Sequence, residues 1–195
     1  MGKKKQKTGK NYIALIIVGI IVISGYFLIS KVSNSSKNTV ADQTEAELLI
    51  HKDLKTSYPA TPREVVKLYS RYSKCLYSGE VNDKEIEQLV NQVRLMYDKD
   101  LLDNNPMDEY LYDLKLDIAE YASYDRKITS YRVDSSNNAI SWTEDDMDYT
   151  RMIVSYTTKE GSTYYKTFEE FLLRMDENSE WKIVGFRETG TDEIK

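Results

Sequence analysis

Carboxylates and tyrosine hydroxyls are the side chains in this sequence that could carry out chemistry. The chain contains 32 Asp and Glu and 16 Tyr, but only one His and one Cys. A carboxyl group whose pKa is raised by burial can transfer a proton, and a neighbouring tyrosine hydroxyl can assist it. The spacing of the acids singles out none of them for this role. No residue is therefore assigned as catalytic, as cofactor-binding or as a metal ligand.

The single histidine and the single cysteine restrict the chemistry further. His51 precedes the main domain, and we interpret it as a solvated or packing residue. No histidine follows it, which removes a His-Asp pair and any histidine-based metal site from the domain. Cys75 alone excludes an intramolecular disulfide, and it falls on the apolar side of a predicted helix. We expect it to be a buried small hydrophobic residue.

Two acidic clusters are candidates for cation binding or proton transfer. One contains Asp98, Asp100 and Asp103, and the other is the acidic run of residues 144–148. The second lacks the glycine and the twelve-residue register of an EF-hand loop. We interpret both clusters as solvated groups in loops and at helix ends. The sequence also has no phosphate-binding glycine-rich loop and no nucleophile elbow, so no cofactor is expected.

The first 30 residues combine five lysines with an uncharged apolar segment. The lysines lie at positions 3, 4, 5, 7 and 10, and residues 12–29 form an uncharged run of 18 residues. At about 1.5 Å per residue such a helix is roughly 27 Å long, enough to cross a bilayer. The lysines predict a cytoplasmic N-terminus and an extracytoplasmic body in a single-pass cell-membrane protein. A signal peptide cleaved near Ser33 or Ser35 is the alternative.

The rest of the chain is acidic. After residue 30 it holds 22 Lys and Arg against 32 Asp and Glu. Nucleic-acid binding draws most of its affinity from clustered basic residues, so this balance disfavours a nucleic-acid partner. Residues 31–40 are small and polar, as in a flexible linker. Thr44 and Glu47 then form a capping-box pattern, which predicts a short helix or stalk.

Three longer helices are predicted in the first half of the main domain. Thr61 at the N-cap, Pro62 at the first helical position and Glu64 at the third start the first of them. The second starts at Asn82 with Glu85 at the third position, Asn105 and Pro106 open the third, and apolar residues follow each start at helical spacing. Five tyrosines on these apolar stripes are expected to pack with their hydroxyls near the surface: Tyr69, Tyr72, Tyr97, Tyr110 and Tyr121.

Beyond residue 124 the apolar pattern changes to alternation, which predicts antiparallel strands. The first strand is expected to place Thr129, Tyr131 and Val133 on one face. The later strands are expected over residues 149–158, 163–176 and from 181 onward, joined by hairpins. Helices followed by a meander of strands predict an α+β fold, with the helices packed on one face of a curved antiparallel sheet.

The predicted strand 163–176 has apolar residues on both faces. One face is expected to be core. The other still carries Tyr164, Phe168 and Leu172 between charged residues, which is more aromatic surface than a solvated sheet needs. We expect this outer sheet face to bind a protein partner or a second copy of the chain.

The order of these caps and turns resembles a known superfamily. The Thr-Pro-Arg-Glu-Val-Val helix start at residues 61–66, the Ser78-Gly79 break and the hairpins closing on residues 180–184 are similar to the nuclear transport factor 2-like (cystatin-like, SnoaL-like) superfamily. The resemblance covers residues 58–190.

A second, narrower resemblance implies that this domain is attached to a membrane. The apolar anchor, together with residues 58–66 and 97–106, resembles uncharacterised membrane-anchored proteins of Gram-positive, clostridia-like bacteria. The predicted segments are a cytoplasmic basic tail (1–11), a transmembrane helix (12–30), a linker or stalk (31–57), the nuclear transport factor 2-like extracytoplasmic domain (58–190) and a C-terminal tail (191–195).

The superfamily resemblance implies a conical cavity that some members use for catalysis and others for binding or assembly. Asp98, Asp117 or Asp148 could line it beside a tyrosine. The missing histidine and the tether favour a non-catalytic binding or assembly module, which could also take a small ligand. The alternative is an enzyme that uses an Asp/Tyr pair for proton transfer on a small carbonyl-type ligand. An open cone with an Asp beside a Tyr would favour the enzyme, whereas an apolar plug would leave binding to the outer sheet.

Overall fold

The computed structural model describes residues 43–190, in which five α-helices precede five β-strands. The helices are α1 (Glu45–Ile50), α2 (Pro62–Leu76), α3 (Asp83–Arg94), α4 (Lys99–Asp103) and α5 (Met107–Ser123). The strands are β1 (Arg126–Val133), β2 (Ile140–Glu144), β3 (Met147–Glu160), β4 (Thr163–Met175) and β5 (Trp181–Thr189). The predicted α+β class, with helices first and an antiparallel sheet after them, is confirmed.

The long strand β3 organises the sheet. Its second half pairs with β1, its first half pairs with β2, and β4 lies along its other edge, followed by β5. Two bulges interrupt the ladders. One lies at Thr129 in β1 and the other at Val184 in β5. Tyr131 and Val133 pair with the inward-facing residues Tyr156 and Val154 of β3. Thr129 is the extra, unpaired residue of the first bulge, so it does not share their face as the sequence predicts.

The predicted helix starts are confirmed. The side chains of Thr44, Thr61 and Asn82 each accept a hydrogen bond from the backbone N–H at the third helical position, and a glutamate at that position returns the contact. Each such cap stabilises a helix by about 1 kcal/mol. The short helix α4 was not predicted. It begins where the Asp98 carboxylate accepts a hydrogen bond from the Asp100 backbone N–H at 2.9 Å.

The strand β2 was also missed by the sequence analysis. Asp145 and Asp146 connect it to β3 as a two-residue hairpin with φ values of 52° and 61°. Hairpin turns of this kind usually contain glycine, because both central residues need positive φ. The acidic run is therefore the exposed turn of a hairpin, and the aspartates obscure its turn signal.

The core lies between the helices and the inner face of the sheet. Val65, Val66 and Tyr72 of α2 and Phe171 and Leu173 of β4 are fully buried there. The alternation predicted for β4 is confirmed on this face. Most outward sheet positions are half-buried or exposed, and no helix within residues 43–190 packs on that face.

Residues that the sequence predicted as linker or stalk contribute to the same core. Leu49 of α1 and Leu54 are buried. The Tyr72 hydroxyl donates a hydrogen bond to the Leu49 carbonyl at 2.9 Å, and the Gln92 amide donates to the Ile50 carbonyl at 3.0 Å. The packed unit therefore extends to α1.

The predicted cytoplasmic tail, transmembrane helix and C-terminal tail lie outside the described residues. Across residues 43–190, none of the helices combines the length and the hydrophobicity that crossing a membrane requires.

The packing of α1 gives a stability prediction. Leu49 is 0% exposed and Leu48 is 45% exposed. Leu49→Ala should lower the free energy of unfolding by about 2–5 kcal/mol, because it opens a cavity at a fully packed position. Urea unfolding measures the change.

The neighbouring substitution is the control. Leu48→Ala should change the free energy of unfolding by less than about 0.5 kcal/mol. Equal effects of the two substitutions would show that α1 is not part of the folded unit.

Candidate functional site

The inner face of the sheet, under α2 and α5, brings several titratable side chains together with aromatic rings. Aromatic rings occupy one part of this concave face. The ring of Tyr69 lies 5.1 Å from that of Phe171 and 5.3 Å from that of Phe186, and the latter two are 5.3 Å apart. Offset and tilted ring pairs at such distances are favourable, so this part is packed with apolar rings.

A hydrogen-bonded chain of polar groups lies beside the rings. Glu169 on β4 lies on the same face of the sheet as Tyr156, and the two side chains influence each other's pKa. The Tyr156 hydroxyl lies 3.1 Å from the Ser70 hydroxyl, which donates to the Val66 carbonyl at 2.8 Å. Tyr156 thus lies between the Ser70 hydroxyl of α2 and the Glu169 carboxyl of β4.

The pKa of Glu169 is strongly perturbed. Burial raises the pKa of its carboxyl from 4.5 to about 7, the hydrogen bond from Tyr156 opposes the rise, and the charge of Glu188 adds to it. Glu188 lies directly opposite Glu169 across the β4–β5 ladder. A carboxyl with a pKa near neutrality can both release and accept a proton.

A second acid–tyrosine pair joins α2 to α5. The Tyr77 hydroxyl donates a hydrogen bond to the Asp117 carboxylate, and its ring lies 4.6 Å from that of Tyr121. Burial, followed by the charge of Asp117, raises the pKa of Tyr77 well above its ordinary value. Asp117 is thus the one of the three predicted aspartates that the structure places beside a tyrosine hydroxyl in this way.

An arginine connects the end of α5 to the β3–β4 hairpin. The Arg126 guanidinium bonds the Glu160 carboxylate at 2.8 Å. Three tyrosine rings surround the same guanidinium, with centroids 5.1 Å, 5.3 Å and 5.8 Å away: Tyr121, Tyr124 and Tyr165. Contacts of a cation with several ring faces hold this arginine in place. Arg126 therefore links the end of α5, through the rings of Tyr121 and Tyr124, to the sheet, through the Glu160 carboxylate.

The other two predicted aspartates have structural or surface positions. Asp98 is 4% exposed and pairs with the Arg174 guanidinium, with 3.0 Å between Oδ2 and Nε. Asp148 is exposed and accepts a hydrogen bond from the Thr143 hydroxyl at 2.7 Å. The structure therefore does not bring Asp98, Asp117 and Asp148 together.

Asp98 and Asp148 border an open depression of about 800 Å³ at one end of the sheet. Its charged lining includes Asp100, Arg174 and Lys182. Within the described part of the chain, no three His, Cys, Asp or Glu side chains are arranged to hold a metal ion. The acidic clusters thus supply ion pairs, a helix cap and a hairpin turn.

Glu169 is the functional candidate that the sequence analysis missed. Glu169 lies on the same face of β4 as Phe171 and Leu173, the face predicted as core. An acidic residue in that otherwise apolar series could have identified it from the sequence. The prediction that tyrosine hydroxyls lie near the surface is wrong for Tyr69, Tyr72 and Tyr97, which are buried. Tyr72 donates to a buried carbonyl, and the Tyr97 hydroxyl lies 2.9 Å from that of Tyr110.

The single cysteine is buried and the single histidine among the described residues is exposed. Cys75 is buried among the helices, and burial raises its pKa to about 11. It is a packing residue, as predicted, because a thiol with so high a pKa is a poor nucleophile at neutral pH. His51 is exposed at the end of α1.

Residues 1–186 match the model of a protein family described as Domain of unknown function (DUF6715). The chain belongs to this family. No curated protein matches the chain.

The raised pKa of Glu169 gives a pH prediction. Its folded-state pKa of about 7 lies above the ordinary value of 4.5, so the unfolded chain releases this proton at lower pH than the folded chain. The stability that Glu169 contributes is therefore full below about pH 4.5 and is lost as the pH rises to about 7. The loss should be roughly 1–3 kcal/mol, since the side chain is partly solvated.

The difference between wild type and Glu169→Gln isolates this contribution. Urea unfolding from pH 4 to pH 8 should show wild type losing stability relative to the variant across that window. Glu109→Gln, at an exposed position of α5, is the control and should run parallel to wild type. A parallel curve for Glu169→Gln as well would mean that Glu169 ionises normally in the folded state.

Proposed function

We propose that the chain is a single-pass, membrane-anchored extracytoplasmic module of nuclear transport factor 2-like fold, which binds a protein partner or a second copy through its outer sheet face. The observation that carries this proposal is the apolar character of the sheet face on which no helix of residues 43–190 packs. Tyr164 is 60% exposed there, and Phe168 and Leu172 lie on the same face, partly buried by their neighbours.

Further aromatic and aliphatic side chains extend this outer sheet face. The rings of Trp142 and Tyr149 stack 5.4 Å apart across the β2–β3 hairpin, and the Arg151 guanidinium lies 5.4 Å from the Trp142 ring. Ile140 on the same face of β2 is 54% exposed. Rigid aromatic groups beside arginines are typical of binding surfaces.

The inner face supports a non-catalytic role. Its titratable groups are largely paired with one another, as in the contacts of Tyr77 with Asp117, of Arg126 with Glu160 and of Tyr156 with Ser70. The rings of Phe171 and Phe186 occupy the space beside them. Groups paired in this way stabilise the fold, and a ligand would have to displace those contacts.

The proposed membrane anchor and the proposed nuclear transport factor 2-like fold are supported by different observations. Five lysines ahead of an apolar run of 18 residues support a cytoplasmic N-terminus and an exported body. Helices packed on one face of a curved antiparallel sheet, in this order along the chain, support the nuclear transport factor 2-like fold.

Proton transfer on a small carbonyl-type ligand remains the alternative function. The Tyr77–Asp117 hydrogen bond favours it, because the hydroxyl and the carboxylate are already aligned. Glu169, with its pKa near 7, is a second acid on the same face. Turnover that is lost in Asp117→Asn and kept in Phe168→Lys would favour this alternative over the binding module.

Protease treatment of intact protoplasts tests the anchor. The proposed topology exposes the body of the chain to the medium, so the protease should digest residues 43–190 and spare the lysine-rich tail, which an antibody against residues 1–11 detects. Full protection of the body would contradict the proposed orientation. Release of a soluble fragment that begins near Ser35 or Ser36 would indicate a cleaved signal peptide.

A charged substitution tests the outer sheet face. Phe168→Lys in the full-length chain should abolish self-association or partner capture, because it places a solvated charge in the apolar surface. Chemical cross-linking in membranes and pull-down after solubilisation measure both kinds of association.

The control variant introduces a lysine on the helical layer instead of the outer sheet face. Leu48→Lys substitutes an exposed residue of α1 and should leave association unchanged. Association that survives Phe168→Lys, with folding confirmed by circular dichroism, would remove the outer face from the proposal.

A further inference from the structure

The outer sheet face has a charge opposite to that of the chain as a whole. Four basic side chains occupy outward positions of β1, β3 and β4 near the β3–β4 hairpin, and we call them the basic patch: Lys127, Arg132, Lys159 and Lys166. None of the four forms an ion pair with any of residues 43–190. The outward positions around them carry Ser130, Ser155, Thr157, Tyr164 and Phe168, without an acid.

The arrangement of the basic patch costs stability in the isolated chain. Lys127 and Lys159 lie directly opposite each other in the β1–β3 ladder. Like charges at directly opposed positions destabilise a sheet. Farther along the same face, Glu170 is already paired with Arg151 at 3.5 Å and Arg187 at 2.9 Å, so it does not neutralise the patch. A partner with negative charge would relieve this repulsion.

The helical layer of the same chain presents such a negative surface. We call it the acidic stripe, and it consists of four acids on α5 without an ion pair to any described residue: Asp108, Glu109, Asp113 and Glu120. Their spacing keeps most of them on one side of the helix. Tyr112 and Leu116, four residues apart on that side, are 64% and 54% exposed. The stripe thus combines negative charge with apolar contact surface.

The two surfaces also agree in length. The 17 residues of α5 extend about 25 Å at about 1.5 Å per residue. The outward positions of β4 from Tyr164 to Leu172 extend roughly 26 Å at about 3.3 Å per residue. A helix of that length can lie along the outer sheet face as the helices of its own chain lie along the inner one.

We propose that the acidic stripe of one copy docks on the basic patch of the next, so that copies of the chain stack head to tail. This inference rests on the proposed self-association of the outer sheet face and names its partner surface. A contact between unlike surfaces does not close on itself as a twofold dimer does, and it generates a row of copies. The symmetric alternative, sheet against sheet, would bring two basic patches together, which repel.

Membrane anchoring strengthens such a contact. Exposed ion pairs contribute about 0–1 kcal/mol each, so the docking of a single helix is weak in dilute solution. Confining the copies to one membrane raises their effective concentration and makes a weak contact sufficient. The association should therefore be strongest in the membrane and sensitive to salt.

Site-directed cross-linking of the full-length chain in liposomes tests the inference. One chain carries Ser130→Cys, at the centre of the basic patch, and the other carries Leu116→Cys, on the acidic stripe. A short bismaleimide should give dimers when the two chains are mixed and background levels with either chain alone. A chain with both substitutions should give a ladder beyond the dimer. The native Cys75 is buried in every variant.

The controls separate charge from proximity. Leu48→Cys, exposed on α1, should give background levels when mixed with Ser130→Cys. Reversing Lys127, Lys159 and Lys166 to Glu should reduce the cross-linked fraction to background, and reversing Asp108, Glu109 and Asp113 to Lys in the other chain should restore it. Raising the salt to about 1 M shortens the screening length to about 3 Å and should abolish the dimers.

Each contrary result has a distinct meaning. Dimers from Ser130→Cys alone would show sheet-to-sheet pairing, which overturns the head-to-tail contact but leaves the proposed outer-face association intact. Background levels in every mixture, while Phe168→Lys still abolishes partner capture, would assign the face to a different protein. Protection of Ser130→Cys from maleimide only in liposomes with phosphatidylglycerol would assign the basic patch to anionic lipid. All three results contradict head-to-tail stacking.

Discussion

The separation between the helical layer and the sheet depends on the packing of α2 against the inner face of the sheet. Val65, Val66 and Tyr72 of α2 are fully buried, and the helix contacts α1, α3, β1, β3 and β5. A single helix with this many partners fixes the spacing between the two layers. It also carries Ser70 into contact with Tyr156, so the polar chain on the inner face depends on the same packing. Loss of the α2 packing would separate the helical layer from the sheet and break the contact between Ser70 and Tyr156.

Because the helices cover one face of the sheet, the two faces have different physical roles. On the inner face, polar groups are satisfied by each other, and burial raises the pKa of Glu169 to about 7. On the outer face, basic side chains near the β3–β4 hairpin, including Lys127 and Lys159, have no acid opposite them. The outer face thus combines exposed aromatic surface with basic side chains that form no ion pair within residues 43–190, so a partner would stabilise that face.

Local signals account for what the sequence predicts correctly. The capping box at Thr61 acts within one turn of helix, and the alternation around Phe171 reports a single strand, so neither needs the tertiary structure. The strand β2 and the helix α4 are short, and pairing with β3 and with Arg174 defines them. Glu169 was missed because alternation predicts apolar residues at inward positions, whereas its place beside Tyr156 depends on how β3 and β4 align. Contacts distant in sequence therefore limit the prediction of the site.

If the proposed anchoring and stacking hold, the outer sheet face is covered when the full-length chain is in a membrane. Covalent labelling of lysines in the membrane-embedded full-length chain measures this coverage residue by residue. Lys127, Lys159 and Lys166 should react slowly at low salt. At high salt they should become as reactive as Lys67 and Lys74, two exposed lysines of α2. Equal reactivity of all five lysines at low salt would contradict the proposed coverage.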